Sequence, residues 1–169
     1  MKDTLTHSKS HSLKHANSRD AVASLKVVVF GIGNLNFGLR IESIYKVINQ
    51  TQVYYSSGLD RVGITHIGDR GEITVVDLHR RLFQSSITNG SIKRSYLIVT
   101  QNKYGELCGI PIASVPALME LPLSSVQVLP ESYRHTEILG IASHVCHLPK
   151  AESLMTIFLL DIDQLLQAT

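Results

Sequence analysis

Three groups of residues have types and spacing that could do chemistry. The run VVVFGIGNLNFG carries a β-branched stretch into Gly31-Ile32-Gly33, the layout of a dinucleotide-binding turn whose backbone amides cradle a pyrophosphate at a helix start. His144, Cys146 and His147 fall close together, with Cys108 available from another segment, as a tetrahedral metal site or a Cys/His nucleophile pair would need. His7, His11 and His15 recur every four residues and would share one face of a helix.

Each group meets a plainer explanation. The third glycine of a dinucleotide turn should stand where Asn36 is, Gly38 comes too late, and no acidic residue lies about 20 positions further on to take a ribose hydroxyl. Two glycines in a hairpin turn account for the motif. On a strand, His144 and Cys146 share a face while His147 points away, no CxxC is present, and Cys108 in ELCGIPI reads as a small core residue. The histidine stripe lies in a Ser-rich context that disfavours a helix. No GxSxG elbow occurs and the carboxylates stand singly, so acid/base pairing has no basis either. A chain with exposed hairpins and no catalytic constellation works through its surfaces. The rival class is a nucleotide-dependent or Cys/His metal enzyme, which bound nucleotide or stoichiometric zinc would reveal.

The elements around these residues belong to one domain of ordinary size. The chain has 169 residues, 44% hydrophobic and 18% charged, too apolar for a disordered protein. No uncharged run approaches the roughly 18 residues of a membrane span, so direct membrane insertion is not expected. Of 16 Lys+Arg and 14 Asp+Glu, the first 26 residues hold five bases and two acids, which leaves the body at −1. With no Trp and no clustered basic face, no nucleic-acid partner is expected. Two cysteines form no disulfide framework, which favours a reducing cytoplasm.

Residues 1–24, rich in Ser, His and Lys, are read as a disordered tail, and 25–169 as the folded domain. LKVVVFGIG and NFGLRI form a first hairpin, with Phe37, Leu39 and Ile41 on one face. IESIYKVIN reads as a short helical or irregular connection. VGITHI and EITVVDL form a second hairpin about Gly68-Asp69-Arg70-Gly71, and DLHRRLF a short helix with Leu78, Leu82 and Phe83 on one side. After a polar connector at 84–95, SYLIVTQ and ELCGIPIASV form a third hairpin, in which Pro111 marks a sheet edge or the end of pairing. LGIASHVCHL and MTIFLLDI are later strands, and DIDQLLQ a closing helix capped by Asp161. Asp77 in VVDL and Asp161 in LLDI occupy matching strand-Asp-helix endings, a hint of two related halves. Short strands with Gly or Asn turns and brief helices predict a mostly β protein of small antiparallel barrels.

The order VVVFGIGNLNFGLRIESIYKVI, VGITHIGDRGEITVVDLHRRL, SYLIVTQNKYGELCGIPIASV, LGIASHV, IFLLDIDQLL resembles the CheW-like domain family over about Leu25 to Leu166. The resemblance implies two small five-stranded SH3-like β-barrels packed about a hydrophobic seam, with short helices, and a non-catalytic adaptor without cofactors. It implies coupling of a methyl-accepting chemoreceptor to a CheA-type histidine kinase in chemotaxis, as a monomer or a member of a larger array recruited to membrane receptors.

Carried over by position, Ile44 and Lys46 match the stretch that helps form the kinase-facing surface, and Gly63 the glycine opening the third strand. At the family's Arg the alternatives are two: counting back from Asp77 selects Asp69, and residue type selects Arg70. The family commonly has Glu where Lys46 stands, so the first count gives a Lys46–Asp69 pair with signs reversed. Such reversal at an interface selects a dedicated partner. In the second half the family's Gly-x-x-Val-Asp becomes Gly109-Ile110-Pro111-Ile112-Ala113, and Ile110, Ile112 and Val115 are the candidate receptor contacts, with core packing the alternative.

Overall fold

The computed structural model describes residues 23–49, 52–55, 62–83, 96–134, 136, 140–151 and 153–167. Residues 1–22, with the histidine stripe, and the connector at 84–95 lie outside them. The strands are β1 (Ser24–Ile32), β2 (Leu35–Arg40), β3 (Ile44–Asn49), β4 (Tyr54–Tyr55), β5 (Val62–His66), β6 (Glu72–Val76), β7 (Tyr96–Gln101), β8 (Leu107–Ile112), β9 (Ala117–Pro122), β10 (Val126–Val128), β11 (Ala142–Lys150) and β12 (Ser153–Leu160). Among the described residues there are also three short helices, α1 (Leu78–Phe83), α2 (Glu131–Arg134) and α3 (Ile162–Gln167).

The strands form two six-stranded sheets, ordered β10-β11-β12-β2-β1-β9 and β3-β7-β8-β6-β5-β4. In the first, β9 and β10 are opposite edges, yet a three-residue 3-10 turn, Leu123–Ser125, joins them. That link is too short to cross a flat sheet, so the sheet curls into a small SH3-like barrel. The second curls likewise, its edges β3 and β4 being linked by residues 50–53. Each barrel has six strands rather than the five expected. The additions are short pieces, β4 and β10, that local sequence does not announce.

Each barrel also borrows from the other half of the chain. Hairpin β1–β2 sits in the first sheet, but the chain then crosses to the second for β3 to β6; hairpin β7–β8 sits in the second, and the chain crosses back for β9 to β12. The halves are therefore swapped, and they meet in two antiparallel pairings, β1 with β9 and β3 with β7, and two parallel ones, β6 with β8 and β12 with β2. Val75 faces Gly109 in one parallel pairing and Leu159 faces Gly38 in the other, each two residues before the strand-ending Asp. A Cβ at Gly38 would lie 2.9 Å from Leu159, and one at Gly109 3.0 Å from Leu97, so both crossings favour glycine. FGLRI at 37–41 and CGIPI at 108–112 are thus equivalent segments.

Among the described residues three large apolar cores and a small fourth cluster, Leu129, Ala142 and Val145, follow from this arrangement. Val27, Val29, Leu121, Cys146, Ile157 and Leu159 fill the first barrel, and Ile67, Ile73, Val75, Leu97 and Val99 the second. The seam between them holds Phe30, Ile32, Phe37, Leu39, Ile98, Cys108, Ile110, Ile112 and the buried faces of α1 and α3. VVVF is continuously apolar because β1 is covered on both faces, Val27 and Val29 inward and Val28 and Phe30 toward the seam.

The helices begin as their aspartates predict. Asp77 Oδ1 accepts the Arg80 amide at 3.1 Å, and Asp161 Oδ1 accepts those of Asp163 and Gln164 at 3.0 and 3.3 Å. Two expectations are corrected, and a third, at Pro111, is narrowed from a sheet edge or the end of pairing to the latter. IESIYKVIN is a 3-10 turn followed by β3, because pairing with β7 imposes a strand. Ile41 leaves the face of Phe37 and Leu39 and is exposed in that turn. Pro111 lies in an interior strand, just past the end of the β6 pairing, where its missing N–H costs nothing.

Candidate functional site

The surface that the sequence singles out is built by β3 and the β5–β6 turn. Ile67 N–H donates to the Gly71 carbonyl at 2.8 Å, and Gly68 and Gly71 take positive φ of 40° and 74°. That tight turn carries Arg70 outward. On β3 the ladder steps from Ile44–Thr100 to Lys46–Val99, which leaves Tyr45 as the extra residue of a β-bulge. A bulge re-aims a side chain, and Tyr45 meets Arg70. Arg70 Nε donates to Tyr45 Oη at 3.1 Å, and the guanidinium lies 5.3 Å from the ring centroid. Lys46 Nζ is 5.7 Å from the same ring, and Val47 beside it is exposed.

The kinase-facing candidates thus divide. Lys46 and Arg70 come together on one ring; Ile44 is half-buried and packs against the seam core. Gly63 is buried for a steric reason: a Cβ there would lie 2.8 Å from the Tyr54 carbonyl oxygen and 2.9 Å from the Tyr55 ring. It lets β4 close against β5. The Asp69 side chain lies outside the described residues, and no described carboxylate forms an ion pair with Lys46 or Arg70. Tyr45 and Val47 are the residues that sequence reasoning missed. Alternation in IYKVIN, read as strand, places Tyr45, Val47 and Asn49 on the open face.

The receptor-facing candidates divide too, and here the sequence expectation is corrected. Ile110 and Ile112 are wholly buried in the seam, since β8 is interior and its outward face meets the other barrel. They present no surface to a partner. Val115, in the connection to β9, is 68% exposed, and Leu118 on β9 is 62% exposed.

The chemical candidates do not converge. β1 turns directly into antiparallel β2, so no helix start follows Gly31-Ile32-Gly33. The space over Gly33 is taken by the Phe83 ring, 2.6 Å from where a Cβ would stand. His144 Nδ1 meets Ser143 Oγ at 2.9 Å, and His147 Nδ1 meets Thr156 Oγ1 at 3.1 Å. Cys108 lies in the seam and Cys146 in the first barrel, both free. Burial pushes the Cys108 thiol up to about 12 and raises that of Cys146, so neither is a ready thiolate. Among the described residues no group of three or more His, Cys, Asp or Glu could hold a metal ion, and no helix is long and apolar enough to cross a membrane.

The chain thus pairs two small barrels about a buried seam and carries an exposed aromatic and basic edge on one of them. A model of the CheW-like domain family matches residues 26–169, and the chain belongs to that family. The solved structure of scaffolding protein TtCheW from Thermoanaerobacter tengcongensis is similar, with 20% identity over 91% of each chain and a TM-score of 0.63. No curated protein sequence matches. The family is one of non-catalytic scaffolds, and the chain is classed with chemotaxis adaptors in signal transduction.

Proposed function

We propose that this protein couples a methyl-accepting chemoreceptor to a CheA-type histidine kinase in the cytoplasm, holding both so that a stimulus changes autophosphorylation. Family membership over residues 26–169 carries the reading. The fold suits it mechanically, because a close-packed seam fixes a surface on one barrel relative to a surface on the other. Tyr45, Lys46, Val47 and Arg70 form the kinase-facing edge, with Ile44 anchoring β3 to the seam and Gly63 admitting β4 beside β5. Val115 and Leu118 belong to the receptor-facing side. All chemistry takes place in the partners.

Size-exclusion co-elution with the regulatory domain of each CheA-type kinase from the same cell tests this. One kinase should co-elute with the full chain, and Val47→Asp should abolish the complex without changing the fold, since Val47 is exposed. Ile44→Asp is a poorer probe because it would place a charge against the seam core. A chain that forms no complex with any kinase overturns the reading.

A further inference from the structure

The edge formed by β3 and the β5–β6 turn is unusual in charge. The body of the chain carries −1, yet two cations converge here on one tyrosine ring. Neither has an ion-pair partner among the described residues, whereas Lys26, Arg40, Arg80 and Lys103 each lie within 4 Å of a carboxylate. Two separate backbone devices produce the convergence. The β3 bulge re-aims Tyr45, and the turn with positive φ at Gly68 and Gly71 brings Arg70 to it.

Tyr45 Oη accepts from Arg70 Nε and so orients the guanidinium. The two terminal Nη groups are left as a planar fork, the geometry that receives a carboxylate with two parallel hydrogen bonds. Lys46 adds a second positive charge on the other flank, and exposed Val47 adds an apolar contact at the end of the row.

We propose that this edge is an acid-reading clamp whose partner is an acidic protein surface, a carboxylate beside an apolar side chain, on the regulatory domain of the kinase. The assignment rests on the kinase-facing reading above and adds the chemistry by which the partner is chosen. Arg70 holds the carboxylate, Lys46 supplies long-range attraction, and Tyr45 is a positioning residue that fixes the angle of the fork. Prior stacking on the ring reduces the side-chain freedom that Arg70 loses on docking.

The test is calorimetric titration of the full chain into the regulatory domain of the co-eluting kinase, at low and at raised salt. Arg70→Glu should weaken binding at least tenfold and Lys46→Glu several-fold, with the salt dependence flattened in both. Arg70→Lys should recover only part of the loss, because an ammonium cannot make the paired contact, and Tyr45→Phe should weaken binding while leaving its salt dependence in place. A kinase variant with its facing carboxylate changed to Lys should bind Arg70→Glu better than wild type.

Wild-type binding that Arg70→Glu and Lys46→Glu leave unchanged overturns the clamp and leaves the adaptor reading standing. A wild-type chain that binds no kinase domain overturns both. Vesicles of anionic phospholipid form the parallel arm: retention that Arg70→Glu abolishes, with kinase binding intact, reassigns the edge to a membrane surface and overturns the proposal. Equal thermal midpoints for all variants show that the differences arise at the edge.

Discussion

The two halves of the chain build the same corner twice and fill it in opposite ways. In the first, the β1–β2 turn meets α1 and the end of β8; in the second, the β7–β8 turn meets α3 and the end of β2. His79 stands two residues after Asp77, and Asp163 two after Asp161, and each contributes a buried ring nitrogen or carboxylate oxygen without a hydrogen-bond partner, His79 Nδ1 and Asp163 Oδ1. The first corner is apolar, a cavity of about 180 Å³ lined by Gly31, Ile32, Gly33, His79 and Pro111 to Ala113. Phe83 closes it over Gly33 and lies 5.2 Å from the His79 ring. The second is polar, about 300 Å³, and contains Arg40, Ser43, Lys103, Asp161 and Asp163. There Lys103 Nζ meets Asp163 Oδ2 at 3.1 Å. The frame is the repeated element; the side chains decide whether a corner is welded by packing or bridged by an exposed ion pair. Packing contributes more, because solvent screens the ion pair.

The largest effect should come from Gly33→Ala. Gly33 has φ of 60° and its Cβ would strike Phe83, so the change combines left-handed strain with displacement of a packed ring, about 2–4 kcal/mol. Urea unfolding measures it. In a Phe83→Ala background the added cost of Gly33→Ala should fall to the backbone part, about 1 kcal/mol, and full additivity would disprove the ring contact.

The two caps provide the next comparison. Asp77 is wholly buried and, besides its cap, accepts the Tyr55 hydroxyl at 3.2 Å and sits 3.5 Å from Arg80 Nε. Asp77→Ala should therefore cost about 2–3 kcal/mol, and Asp161→Ala, whose oxygens serve the cap, about 1 kcal/mol. Equal urea midpoints for the two variants would show that the Tyr55 and Arg80 contacts add nothing.

A third test uses Phe37 and Cys108, equivalent positions occupied by a ring in one half and a thiol in the other. The folded Cys108 pKa, about 12, lies above its ordinary 9.0, so its contribution is complete below pH 9 and is lost as pH rises from 9 to 12. At pH 10 wild type should have lost about 1 kcal/mol relative to Cys108→Ala, each having been referred to its own stability at pH 8. Native Cys108 should also resist thiol alkylation until the chain unfolds. Rapid labelling in the native state would place it outside the seam.

The smallest effect belongs to Lys103→Ala. Its partner Asp163 holds the Lys103 pKa above the usual range, yet the ammonium is exposed, and the urea midpoint should not move measurably. A clear loss of stability would show that the polar corner is as strongly bonded as the apolar one.

Much of the frame was legible wherever local chemistry and tertiary demand agree. The three hairpins, α1, α3 and both Asp caps have turn glycines, alternation or capping side chains that operate within a few residues. β3, β9 and β10 were not legible, because IYKVIN, ALMELP and VQV become strands by pairing with β7, β1 and β11. The candidate site was half legible. Position singled out Lys46 and residue type Arg70, but their meeting on Tyr45 depends on a bulge and a turn 25 residues apart. Ile110 and Ile112 misled because an alternating apolar strand looks the same whether its outer face meets water, a partner or the other barrel.

By itself, then, the sequence determined a mostly β domain with Gly turns, two Asp-capped helices, matching half-chain endings and membership of a scaffold family, since each of these is written in residues close together along the chain. Only the tertiary structure decided that the halves exchange hairpins, that β8 turns its isoleucines into a seam, and that Arg70 comes to rest on Tyr45. Those depend on contacts between segments far apart in sequence, where many pairings satisfy the same local pattern and packing at the seam selects one.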